Sequence, residues 1–244
     1  MGRGSMSRSL GVMETIRTAV PEWSLDAFAA TTLLGDLVVV VPALALWYLL
    51  DVGATLRRAN PDADSLCSDR TAVLVATVFG GLALVVALES VFALPRPPAE
   101  YHAISASEFG FPSGHTMAAT VFWGAVAAWL SVGRRSVRYG LAGAIVAVVA
   151  LSRLALGVHY LVDVVASVAF GVTYLVAVSR LTRGDPKRVF LAALVIALAA
   201  LVLAGANDRA VLAAAGTAGA SAGWWVLERQ PVRRRVLETY ARLV

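Results

Sequence analysis

Two stretches of this chain set reactive side chains among Leu, Val and Ala. One is Phe111-Pro112-Ser113-Gly114-His115-Thr116-Met117; the other runs Ser152-Arg153, five residues, His159, three residues, Asp163. In the first, Ser113 stands where it would cap a helix, and Gly114 lets a ligand approach the backbone. The unpaired N–H groups of such a first turn attract anions, phosphate above all. In the second, His159 and Asp163 are four apart and share one face if the helix has begun by His159. The carboxylate can take the proton of one ring nitrogen and leave a nucleophilic lone pair on the other. Arg96 and Arg153 offer planar forks suited to phosphate oxygens. His115, across the anion from His159, can protonate a leaving oxygen. Taken alone, Pro112-Ser113-Gly114 reads as a helix start and His159 with Asp163 as a structural pair. Ionisable groups at such depth are costly, so their joint presence with Arg153 favours chemistry.

The elements that must position these residues are apolar. The chain has 244 residues, 59% of them hydrophobic and 15% charged, with mean hydropathy +0.74. That exceeds what a soluble core requires. Runs of roughly 18–25 apolar residues, enough to cross about 30 Å of hydrocarbon, recur at about 31–50, 71–94, 115–132, 139–158, 160–182, 188–206 and 209–228. They predict an all-α, polytopic transmembrane helical bundle of about six to seven spans. The small residues of 209–228 suit close helix contact, and Trp224 and Trp225 suit the interface. Residues 1–20 hold no apolar signal-peptide region, so the first span is expected to direct membrane insertion. The mildly amphipathic 21–30, with Trp23, reads as an interfacial lead-in. The expected organisation is an N-terminal arm and interfacial segment (1–30), a membrane core (31–182), and additional C-terminal helices with a basic tail (183–244).

Charge sets the expected orientation. Arg57, Arg58 and Arg70, then Arg134, Arg135 and Arg138, then Arg180, Arg183, Lys187 and Arg188, fall in alternate loops, and Arg229 and Arg233 to Arg235 extend the pattern. The opposite loops hold little beyond Arg96, Arg153 and Arg209, although Arg3, Arg8 and Arg17 run against the scheme. The positive-inside rule puts the basic loops and the C-terminus in the cytoplasm and the reactive residues on the extracytoplasmic face of the cell membrane. The net charge of +5 then reflects topology and calls for no nucleic-acid partner. Lone Cys67 can form no internal disulfide and receives no role. His102 reads as a surface histidine and Asp36 as a structural group near the interface. Without a carboxylate cluster at metal-ligand spacing, neither metal nor cofactor is expected, and the sequence sets no oligomeric state.

The motifs resemble those of the type 2 phosphatidic acid phosphatase superfamily, integral-membrane lipid phosphatases that share a site with glucose-6-phosphatase and the vanadium haloperoxidases. Of its three patterns, Pro-Ser-Gly-His stands unaltered at Pro112 to His115, and Ser-Arg-x5-His-x3-Asp stands unaltered from Ser152 to Asp163. The resemblance covers about residues 30–182. Lys-x6-Arg-Pro departs: Arg96-Pro97 is present, but Glu89 replaces the Lys. The resemblance implies a metal-independent membrane phosphatase that removes a terminal phosphate from a lipid phosphate or polyprenyl diphosphate through a phosphohistidine. His159 would attack phosphorus with Asp163 orienting it, and His115 would serve as acid and then base. Arg96, Arg153, Ser113 and the Gly114 and His115 amides would hold the oxygens. Phosphatidic acid, a phosphatidylglycerophosphate-like lipid and a polyprenyl diphosphate all fit. A lipid phosphotransferase, or a non-catalytic lipid-phosphate-binding protein with a site spoiled by Glu89, stays open. In a working site Glu89 is expected to turn away or to be neutralised by Arg96 or Arg153.

Overall fold

Short polar residues ahead of apolar runs decide where these helices begin. The computed structural model describes residues 11–58 and 64–243. Helices α1 (Gly11–Ala19) and α2 (Leu25–Thr32) lead, through the 3-10 turn Leu33–Gly35, into α3 (Leu37–Arg57). There Asp36 accepts from Val38 N at 2.9 Å. Ser68 caps α4 (Asp69–Phe92), which is followed by α5 (Gly114–Trp129), α6 (Arg135–Ala155) and α7 (Leu161–Thr182). Asp185, with Pro186 in the first turn, starts α8 (Pro186–Leu203). Asn207 caps α9 (Asp208–Leu227), and α10 (Gln230–Leu243) closes the chain. Each of these side-chain caps satisfies a first-turn N–H that the helix itself cannot.

The chain is all-α, and among the described residues the extended pairing is an isolated bridge between Pro95 and Phe109. Among the described residues six helices, α3, α4 and α6 to α9, are long and apolar enough to cross a membrane, as an integral membrane protein requires. Helix α5, with 16 residues, rises about 24 Å, and α4, α6 and α7 pack around it. Two expected boundaries move. The first span is 37–57 rather than 31–50, because the turn Leu33–Gly35 and the extended backbone of Asp36 interrupt the run. The fourth is 135–155 rather than 139–158: its arginines join the helix, and Gly157, at φ 70°, lies beyond its end. Part of the 21–30 lead-in is helical. Arg3 and Arg8 lie outside the described residues.

Helix α4 is the axis. Its inward face carries Ala72, Ala76, Ala83 and Ala87, small enough for helices to approach closely. Tyr174 of α7 donates to Thr77 O at 2.8 Å, which satisfies a buried hydroxyl. On another side Val86 and Ala87 pack against Ala200 of α8 and Ala210 of α9. At the same end of the bundle α1 sets fully buried Met13 against Leu154 and Val164. Arg17, contrary to the charge pattern, donates to Tyr101 O at 3.3 Å and pairs with Glu22. Helix α10 belongs to the opposite end, where Glu228 just before it accepts from Leu66 N and Cys67 N.

Gly157 is demanded by geometry. A Cβ there would lie 2.1 Å from Tyr101 O, and the left-handed backbone strains any L residue. Gly157→Ala is therefore expected to cost about 1–3 kcal/mol of stability or more. Thermal unfolding in detergent reads it, and an unchanged midpoint would contradict the packing described.

Candidate active site

Two loops close over the end of the bundle where α4 stops. Ala93, left-handed at φ 45°, ends that helix. Gly110 N donates to Leu94 O at 2.8 Å, and the Phe111 ring meets Phe92 edge-on at 4.9 Å and Phe170 at 6.2 Å. The long loop is thus brought back to α4 just before α5 begins. Residues 156–160 form the second loop, joined to the first where Ala103 N donates to Leu156 O at 3.0 Å.

His159 sits where the loops meet, fully buried. Its Nδ1 is 2.8 Å from Gly110 O and its Nε2 is 2.8 Å from Arg96 Nη1. A carbonyl only accepts and a guanidinium only donates. Nδ1 therefore carries the proton and Nε2 presents a lone pair. Burial, with Arg96 and Arg153 alongside, holds the ring well below the usual histidine range, so it is neutral. The Asp163 carboxylate lies 3.5 Å from Nδ1 and accepts from Tyr160 N at 2.8 Å. Asp163 is beside the ring as its spacing predicts, but the Gly110 carbonyl is the nearer acceptor, and a carbonyl leaves no mark in a sequence.

Arg96 braces the loop as well as the ring: Nε and Nη2 donate to Ser107 O and Ser107 Oγ, and Nη1 also reaches Val158 O. Arg153 is buried; Nη1 donates to Thr32 Oγ1 at 3.0 Å, while its Nε has no hydrogen-bond partner among the described residues. A buried guanidinium nitrogen in that condition is suited to an anion's oxygen.

Ser113 occupies the N-cap position of α5 but does not cap it. Its hydroxyl lies 3.0 Å from Thr116 Oγ1, and no side chain caps that first turn. The backbone is instead fastened to α7, where Ser167 Oγ donates to Ser113 O and Asp163 O. Gly114 and His115 thus open a helix whose positive end awaits an anion. His115 Nε2 is 2.9 Å from Asp36 Oδ2. A carboxylate must accept, so Nε2 carries a proton and Nδ1 is the nitrogen that can gain or release one. The hydrogen bond from His115 outweighs burial and holds the Asp36 carboxyl down at about 2. Gly35 makes this contact possible, since a Cβ there would lie 2.2 Å from His115 O. Sequence reasoning missed this role of Asp36; a lone acid after Gly between apolar runs was the available signal.

Glu89 corrects an expectation. It does not turn away, and although Arg96 is near enough to attract it, its direct ion pair is with neither Arg96 nor Arg153. Its Oε1 is 3.0 Å from where a Gly114 Cβ would stand, and its Oε2 pairs with Arg209 Nη1 of α9 at 2.5 Å. The other candidates lie elsewhere. His102 is half-buried and donates to Pro97 O at 3.0 Å. Cys67 is buried toward the opposite end, where burial and then Glu228 push its thiol up to about 12. Among the described residues no three His, Cys, Asp or Glu side chains gather to hold a metal ion.

Residues 70–187 match the PAP2 superfamily. The transmembrane PAP2-type phosphatidylglycerolphosphate phosphatase of Bacillus subtilis superposes with a TM-score of 0.54 at 24% identity, over 70% of this chain and 82% of that one, a likeness of fold. No curated protein matches the chain.

The Asp36 contact has a pH signature. A carboxyl lowered from 3.8 to about 2 on folding adds stability in full above about pH 4, and that contribution disappears as pH falls through about 2. The stability gap between wild type and Asp36→Asn should shrink over that window in denaturation series. A constant gap would remove Asp36 as an ionised partner of His115.

Proposed function

We propose, from the match of residues 70–187 to the PAP2 superfamily, that this chain belongs to that superfamily and is a membrane phosphatase that removes a terminal phosphate from a lipid phosphate or polyprenyl diphosphate. The single observation that carries the reading is the neutral, buried His159 with its Nε2 lone pair directed at Arg96 beside the first turn of α5. An imidazole in that state is a nucleophile already surrounded by donors for an oxyanion.

When phosphate enters, Arg96 exchanges the imidazole lone pair for a phosphate oxygen and so releases the nucleophile. Nε2 attacks phosphorus in line as the bond to the lipid oxygen breaks, giving a phosphohistidine. Positive charge grows on the ring, and Gly110 O and Asp163 are the acceptors at Nδ1 that stabilise it. Arg96, Arg153 and the Gly114 and His115 amides hold the equatorial oxygens, and Ser113 shapes the turn that presents those amides. His115, held by Asp36 at Nε2, takes a proton at Nδ1 as the substrate's negative charge binds and gives that proton to the leaving oxygen. It then takes one from the water that attacks phosphorus, and the P–N bond breaks with its electron pair returning to Nε2. The arginines and helix terminus supply the positive charge that a metal ion supplies elsewhere. A lipid substrate suits the apolar side chains exposed beside the site, Val91, Leu94, Leu161 and Val162. On the positive-inside reading the site is extracytoplasmic and the C-terminus cytoplasmic.

Release of inorganic phosphate from a panel of phosphatidic acid, phosphatidylglycerophosphate and polyprenyl diphosphate tests the reading; purified protein inactive on all of them would overturn it. Transfer to an added alcohol with no release to water would assign a transferase instead. His159→Ala is expected to lower turnover by roughly three orders of magnitude or more while the protein stays folded. Acid-labile label from a phosphorylated substrate should be trapped on the wild type and lost in that variant. Activity should survive EDTA, and vanadate, whose trigonal bipyramid mimics the in-line transition state, should inhibit. Loss of activity in EDTA with recovery on adding magnesium would sink the mechanism.

A further inference from the structure

Beyond the C-terminal end of the family-matched segment, a side chain of α9 also reaches this site. Arg209 is the second residue of α9, just past the turn Gly205-Ala206-Asn207, whose first two residues are left-handed at φ 61° and 55°. Asn207 caps the helix, and Ala210, directly after Arg209, is fully buried against the α4 cluster. The start of α9 is therefore fixed, and with it the origin of the Arg209 side chain.

That side chain does two things at once. Nη1 pairs with Glu89 Oε2, whose side chain is 3% exposed, so the guanidinium is the counterion that a buried carboxylate demands. Yet Arg209 itself stays 50% exposed, more than a purely structural ion pair requires. Its Nη2 lies 4.0 Å from where a Gly114 Cβ would stand, at the first turn of α5. Glu89 also lies close enough to Arg96 for their charges to attract, while Arg96 and Arg209 repel. The carboxylate is thus the group that lets two guanidiniums approach one place.

We propose that Arg209 is a phosphate-binding residue of this chain, aimed by the buried carboxylate of Glu89, so that a helix outside residues 70–187 completes the site. The proposal rests on the phosphatase reading for its substrate, but its content is anion binding. Glu89 stands where the resembled motif has a cation, and Arg209 returns a donor to that place from another part of the chain. A guanidinium carries five N–H donors; Glu89 occupies one end and leaves others for a phosphate oxygen.

The competing explanation is that Arg209 serves Glu89 alone. Binding of inorganic phosphate and of vanadate to the full chain in detergent, measured by calorimetry, separates the two without turnover. Arg209→Ala should weaken both about ten- to a hundredfold, the loss expected for one charge-assisted donor. The single variant leaves a buried carboxylate unpaired and can lose stability for that reason. The double variant Glu89→Gln with Arg209→Ala removes that fault, and its weakened binding should persist. Wild-type affinity in the double variant would overturn the proposal, as would a wild type that binds neither anion. Should the wild type hydrolyse no lipid phosphate yet bind phosphate through Arg209, the phosphatase reading fails and the Arg209 assignment stands.

Discussion

Everything at this end of the bundle depends on one buried imidazole with both nitrogens satisfied. A fully buried ring with either nitrogen left open would cost more than a typical hydrogen bond returns. His159 avoids that by lying between a carbonyl and a guanidinium that come from either end of the same loop, Gly110 and Arg96. The loop can take that course because Arg96 also binds Ser107, Gly110 returns to Leu94, and the three phenylalanines pin its end. The same fastening sets α5 against α7 through Ser167, and so places the helix terminus next to the ring. Fold and site are here one set of bonds.

A second constraint is charge. Arg96, Arg153 and Arg209 converge on a region that also holds Asp36, Glu89 and Asp163, and the interactions link acids to bases across separate helices. Three guanidiniums crowded together in low dielectric would repel strongly. Interleaved carboxylates let the bundle close without an anion, yet leave donors directed outward. Such a resting site is close to neutral and rich in N–H groups, a condition that favours a phosphate arriving with its own charge.

Much of this was legible in the chain. Long apolar runs marked the spans, since backbone in hydrocarbon must be helical, and the run 209–228 proved helical despite its small residues. The spacing of Arg153, His159 and Asp163 placed the first and last on successive helices with the histidine between them. The illegible parts have a common cause: they depend on which distant elements touch. Nothing local in Asp36 says that α3 starts against His115, and nothing in Arg209 says that α9 starts against Glu89. The expected N-cap of Ser113 failed for the related reason that Thr116, one turn on, offers its hydroxyl a partner. The first span was misplaced because apolar residues 31–34 look alike whether they continue a helix or form the turn that delivers Asp36.

The seven helices from α3 to α9 run back and forth in sequence, and the contacts of the chain's two extremities follow from that odd number. Helix α1 lies over the loops around His159, while the residues entering α10 hold the segment ahead of α4 at the far end. Helices α1 and α10 consequently sit toward opposite ends of the bundle. A reporter fused ahead of α1 and the same reporter fused after α10 would therefore read which side of the bilayer each end of the bundle faces, without altering a residue of the site.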